Sequence, residues 1–127
     1  MIDRFDLIIE VPEVTADMLL APTANEPSHF IAQRVEAGWA FAAARQNQGA
    51  DCVNARLQPD QLVDIINFDE DAALLLKTAV EQSHLSARAY HKIQRVVRTI
   101  ADLNAEAIIS RAMIAEAMTY RAMPLLA

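Results

Sequence analysis

Residues 85–103, Leu85-Ser86-Ala87-Arg88-Ala89-Tyr90-His91-Lys92-Ile93-Gln94-Arg95-Val96-Val97-Arg98-Thr99-Ile100-Ala101-Asp102-Leu103, hold an unbroken helical pattern with no glycine or proline. Ala89, Ile93, Val96, Val97 and Ile100 recur at the spacing of one helix face, which turns them inward. Ser86 stands where a side-chain oxygen can accept a first-turn N–H and cap the helix. Arg88, Lys92, Arg95 and Arg98 follow at offsets of 0, 4, 7 and 10. At ~100° per residue they share a stripe, with His91 beside it. No acid lies between Leu85 and Ala101 to neutralise them.

The flanking sequence reads as more helices. Ser28 opens a long one to about residue 47, with Ile31, Val35, Trp39 and Ala42 at helical spacing and Gly49 as its terminator. Pro59 suits the first turn of a short helix to about Ile66. Asp69 caps a helix to about Ser83, with Ala72, Leu75, Leu76, Ala79 and Val80 on its apolar side. Ser110 starts the last helix, which carries Ile114, Ala117 and Met118 and is broken by Pro124. Upstream, Phe5-Asp-Leu-Ile-Ile-Glu-Val-Pro12 is a β-branched run that reads as one strand. Nothing later in the sequence reads as a partner strand, so its sheet is expected outside these residues. The fold class is therefore mainly α: a helical bundle preceded by a long linker helix and one short N-terminal strand. Residues 13–27, with Pro22 and Pro27, form a connector holding one short helical turn.

Composition agrees. The 127 residues are 54 % hydrophobic and 22 % charged, with two glycines and five prolines. That is the profile of one globular helical domain rather than a disordered or turn-rich chain. The single cysteine, Cys52, has no partner for an internal disulfide, which suits a reducing cytoplasm. No apolar run approaches the ~20 residues that cross a bilayer, and the first residues lack the layout of a secretory signal. The expectation is a cytoplasmic protein without membrane contact.

The net charge of −6 argues against indiscriminate nucleic-acid binding, but it is unevenly spread. Residues 1–83 hold five Lys/Arg against fourteen Asp/Glu; residues 84–127 hold six against three. The cationic share lies on the 85–103 helix. A solvated face and a phosphate-binding surface both fit that stripe. Arg88 tilts the balance: it sits in the first turn, where the helix dipole disfavours a cation, and an anionic ligand near the free backbone N–H groups accounts for it better. Arg4, in Asp3-Arg4-Phe5-Asp6, fits either a local pair with aspartate or a charge presented across a subunit boundary.

Other chemistries lack their residues. There is no Gly-x-x-x-x-Gly-Lys-Ser/Thr phosphate loop, no His-Glu-x-x-His and no cysteine pair, so no metal site is expected. His29, His84 and His91 are dispersed, and Asp69, Glu70 and Asp71 suit the first turn of a helix better than an acid–base pair. Alone, the chain does not read as an enzyme.

The wording Leu85-Ser-Ala-Arg-Ala-Tyr-His-Lys-Ile93 with Arg95-Val-Val-Arg-Thr-Ile-Ala-Asp-Leu103 resembles the C-terminal domain of magnesium-chelatase-like AAA+ ATPases, in particular the ComM/YifB group. Supporting matches run in order along nearly the whole chain: Asp3-Arg4-Phe5-Asp6-Leu7, Arg34-Val35-Glu36-Ala37, Arg45-Gln46, Asn54-Ala55 and Ala115-Glu-Ala-Met-Thr-Tyr-Arg121. The run Gly38-Trp39-Ala40-Phe41-Ala42-Ala43-Ala44 departs from the resemblance, being apolar where an Arg/Glu-rich segment is expected.

The resemblance implies that residues 1–15 are the tail of an AAA+ core, 16–56 a linker with a long helix, and 57–127 a helical lid. It implies that Arg4 is an arginine finger and Arg88 the sensor-2 residue, and leaves Lys92, Arg95, Arg98 and His91 as a nucleotide, DNA or subunit-interface surface. The phosphate loop, ATP and Mg2+ would belong to a longer protein, self-assembled into a ring (expected to be a hexamer) and remodelling DNA. The isolated segment is expected to hold no cofactor and to hydrolyse no ATP. An ATPase subunit of magnesium chelatase in tetrapyrrole synthesis is the alternative, and a non-catalytic helical interaction domain is the third.

Overall fold

The structure is a computed structural model that describes residues 4–21, 25–46 and 53–121. Among the described residues six helices form: α1 Ala16–Leu20, α2 Ser28–Gln46, α3 Pro59–Ile65, α4 Glu70–Ser83, α5 Ala87–Leu103 and α6 Arg111–Thr119. A 3-10 turn at Asn54–Arg56 precedes α3, and two short strands, β1 Asn67–Phe68 and β2 Ile108–Ile109, enter between the helices. Gly49, Cys52 and Pro124 lie outside the described residues.

Local chemistry sets the boundaries. Asp69 Oδ1 accepts the Ala72 N–H at 2.7 Å and Ser86 Oγ accepts the Ala89 N–H at 3.1 Å, so both caps form where the sequence places them. Pro59 opens α3, and the Gln61 side chain reaches back to accept the Gln58 N–H at 2.9 Å. His84 ends α4 in the left-handed region (φ 49°, ψ 48°), and its N–H bonds the Val80 carbonyl. That accounts for one of the three dispersed histidines. Ala105 takes the same conformation after α5 (φ 54°), letting the Glu106 N–H reach the Ala101 carbonyl at 2.8 Å.

The apolar cluster is drawn from every element between Leu57 and Ala117. Leu62, Ala72, Val97, Ala101, Ile109 and Ile114 are wholly excluded from solvent. At ~25 cal/mol per Å2 of apolar surface removed from water, this cluster is the main favourable term for the bundle. α5 runs through its middle, with α6 and α2 against it, and α4 packs on α6.

Two sequence expectations meet a different outcome. Residues 7–15 form no regular secondary structure here; the segment is tied to the bundle by the Ile8 N–H to the Tyr120 carbonyl at 2.9 Å. A strand exists only by pairing, and these residues offer it one hydrogen bond. Conversely, a sheet forms where the sequence pattern predicts none: β1 and β2 pair in parallel, Asn67 with Ile108 and Phe68 with Ile109. Two residues are too short to display an alternating pattern.

α2 forms at the expected place, but its apolar side is half open. Ala42 is buried, whereas Ile31, Val35 and Trp39 remain 45 %, 43 % and 54 % exposed. Gly38 sets the approach: a β-carbon there would come within 2.9 Å of Leu103 Cδ2. A groove of about 380 Å3 follows, lined by Val35, Trp39, Val53 and Leu103 among others.

Candidate phosphate site at the start of α5

The cations of α5 do not make one exposed stripe. They divide into a buried end and an open end, because α5 crosses the core rather than its rim.

Arg98 is the buried end. Its side chain is fully enclosed, so it does not present a surface. Nε donates to Asp102 Oδ1 at 3.1 Å, Nη1 to the carbonyls of Ile65 at 3.2 Å and Ala107 at 3.0 Å, and Nη2 to that of Glu106. These carbonyls lie beside the ends of β1 and β2, so one guanidinium satisfies backbone groups that the two-residue sheet leaves open. Burial pushes the Arg98 pKa below its usual value; the Asp102 carboxylate opposes that shift, and the Arg45 charge adds to it. Asp102 also receives Arg45, and Asn54 Nδ2 at 2.8 Å. Arg45 Nη2 donates to Asn54 Oδ1 at 3.2 Å. The Arg45, Asn54 and Asp102 of the sequence matches are therefore one buried network joining α2, the 3-10 turn and α5.

Arg95 is partly buried, its Nε donating to the Leu57 carbonyl at 2.9 Å. His91 lies edge-on to Tyr90, with Nδ1 3.1 Å from Gln94 Oε1, while Gln94 Nε2 donates to the Tyr90 hydroxyl at 3.2 Å. Both residues are occupied in holding α5.

The open end is different. Arg88 is exposed in the first turn and makes no hydrogen bond or ion pair among the described residues. It lines a small cleft with Ser86, Ala89, Lys92 and Arg121, so the structure brings three cations to the N-terminus of one helix. Lys92 is 7 % exposed; among the described residues its Nζ has no hydrogen-bond partner, and Asp6 Oδ1 stands 3.9 Å away. Arg121 has no sequence signal as a site residue, since it lies past the last helix and only the tertiary fold returns it to α5. Arg4 is exposed, two residues from Asp6, and makes no ion pair among the described residues, so the local pairing with Asp6 does not form.

Chemically, the open end can bind an anion. It offers guanidinium and ammonium donors beside the unsatisfied N–H groups of a 17-residue helix. Among the described residues no group of three or more His, Cys, Asp or Glu side chains could hold a metal ion. No described helix is long and apolar enough to cross a membrane.

Known proteins match this chain over most of its length. Residues 25–121 match the family model described as magnesium chelatase, subunit ChlI C-terminal. The chain is 36 % identical over 123 residues to "Competence protein ComM" of Haemophilus influenzae, covering 96 % of this chain and 23 % of that protein. It is 33 % identical over 122 residues to "Uncharacterized protein YifB" of Escherichia coli K12, covering 95 % of this chain and 23 % of the relative. The chain thus spans about a quarter of the length of the curated relatives it matches.

Proposed function

Because this chain belongs to the magnesium-chelatase-like AAA+ family, as its C-terminal helical domain, we propose that it serves the ATPase cycle of a ring by presenting two arginines to bound nucleotide. Arg88 acts as the sensor of the phosphates, and Arg4 is delivered to the nucleotide of a neighbouring subunit. A transferring phosphoryl group spreads negative charge over its oxygens, and a planar, permanently charged guanidinium matches it. ATP and Mg2+ are held chiefly by a nucleotide-binding core joined to this domain. The ring's work is DNA remodelling, a reading that extends the likeness to the ComM/YifB group.

One observation carries the assignment: Arg88 is exposed and makes no hydrogen bond or ion pair among the described residues, whereas Arg95 and Arg98 are tied to backbone carbonyls. A helix start gains nothing from an unpaired cation. In the full-length protein, Arg88→Ala is expected to lower ATP turnover by at least tenfold, with assembly and the circular dichroism spectrum unchanged. Unchanged turnover would favour a helical interaction domain without a nucleotide role. The chelatase reading keeps both arginines and changes the partner; it draws on the family description. Stimulation of turnover by DNA supports the remodelling reading, and stimulation only by a chelatase partner protein supports the other.

A further inference from the structure

We propose that Lys92 and Arg121 complete, with Arg88, a three-cation seat for a polyphosphate, and that Asp6 holds Lys92 in reserve until the polyphosphate arrives. This rests on the reading of Arg88 as a phosphate sensor and extends it to two residues which that reading does not use.

The argument starts from Lys92. An ammonium has three N–H donors and is costly to bury unless they are used. Here Nζ is shielded from solvent yet makes no hydrogen bond among the described residues, and the carboxylate it faces, Asp6 Oδ1, is 3.9 Å away, beyond hydrogen-bond reach. Charge attraction keeps it near Asp6 without satisfying its donors. The same side chain lines the cleft of about 30 Å3 that it shares with Ser86, Arg88, Ala89 and Arg121. That volume admits one oxygen-sized group, so a phosphate would insert an oxygen and keep its bulk outside, against the two guanidiniums. Ser86 Oγ is spent on the Ala89 N–H, and helix geometry leaves the Ala87 and Arg88 N–H groups as further donors.

Two guanidiniums, an ammonium and backbone N–H groups suit a multiply charged phosphate better than a single carboxylate. When Lys92 turns to the phosphate oxygen it leaves Asp6, two residues from Arg4. Occupancy of the seat then loosens the segment that carries Arg4, joining the two arginines through one ion pair.

The test is a nuclear magnetic resonance titration of this chain with inorganic pyrophosphate at fixed ionic strength. Saturable shifts are expected at the Ala87–Ala89 amides. Arg88→Ala, Lys92→Met and Arg121→Gln should each weaken binding by about tenfold, the effect of losing one charge-assisted hydrogen bond. Asp6→Asn should tighten it several-fold, and that gain should vanish in the Asp6→Asn/Lys92→Met double variant. Arg121→Gln and Asp6→Asn change half-buried positions outside the core cluster and keep the test decisive should Lys92→Met not fold. Loss on Arg88→Ala alone, with Lys92→Met and Arg121→Gln at parent affinity, overturns the seat and leaves Arg88 a sensor. A gain from Asp6→Asn that persists without Lys92 overturns the reserve role. No saturable binding by the parent chain counts against both the seat and the sensor.

Discussion

Arg98→Met is expected to cost about 3–5 kcal/mol of folding stability, the penalty for breaking a buried, hydrogen-bonded ion pair by removing one partner. For a domain whose whole stability is about 5–15 kcal/mol, that leaves little margin. Methionine fills much of the arginine's volume, so the loss is polar rather than a cavity. The carbonyls of Ile65, Glu106 and Ala107 lose their donor at once, and the Asp102 carboxylate, itself buried, loses one of its partners. Arg98→Lys should also fail, because a point ammonium cannot span Asp102 and three carbonyls that a planar fork reaches together. Arg95→Met, which removes one bond to Leu57 at a partly buried site, should cost about 1 kcal/mol. Urea denaturation of this chain reads all three. Equal, small losses for Arg98 and Arg95 would mean that the buried network does not organise the bundle.

The second large effect concerns catalysis. In the full-length protein, Arg4→Ala is expected to lower kcat for ATP hydrolysis by about 10^3-fold or more, the size of effect an arginine finger supplies. Nucleotide affinity should change far less, because a finger acts on charge that develops in the transition state. Folding of the helical domain should be untouched: Arg4 is exposed and makes no ion pair among the described residues. Steady-state turnover with a separate measurement of nucleotide binding separates the two quantities. A rise in KM with kcat unchanged would make Arg4 an ordinary binding residue.

Much of this architecture can be read from one dimension, for identifiable reasons. Asp69, Ser86 and Pro59 act within three or four residues of themselves, so caps and first turns are written locally. The inward face of α5 is legible because Ile93 and Val97 repeat at the helical period and are buried. What escapes is whatever depends on distant segments meeting. Arg98 looks like Arg88 in sequence; only the carbonyls of Ile65, Glu106 and Ala107, brought together by a two-residue sheet, make it internal. Arg121 joins the cleft through the return of α6, and Lys92 finds Asp6 across 86 positions of chain. The apolar run after Gly38 reads as a helix but does not disclose that Trp39 stays open, since burial needs a facing surface.

The most direct trial of the finger assignment is a mixing measurement in the full-length protein. Arg4→Ala subunits are combined with subunits that keep Arg4 but carry a disabling change in the proposed nucleotide-binding core. If Arg4 serves a neighbour's nucleotide, two inactive preparations regain ATP turnover on mixing, in proportion to the mixed contacts formed. Mixed rings that assemble and stay as inactive as their components would contradict it.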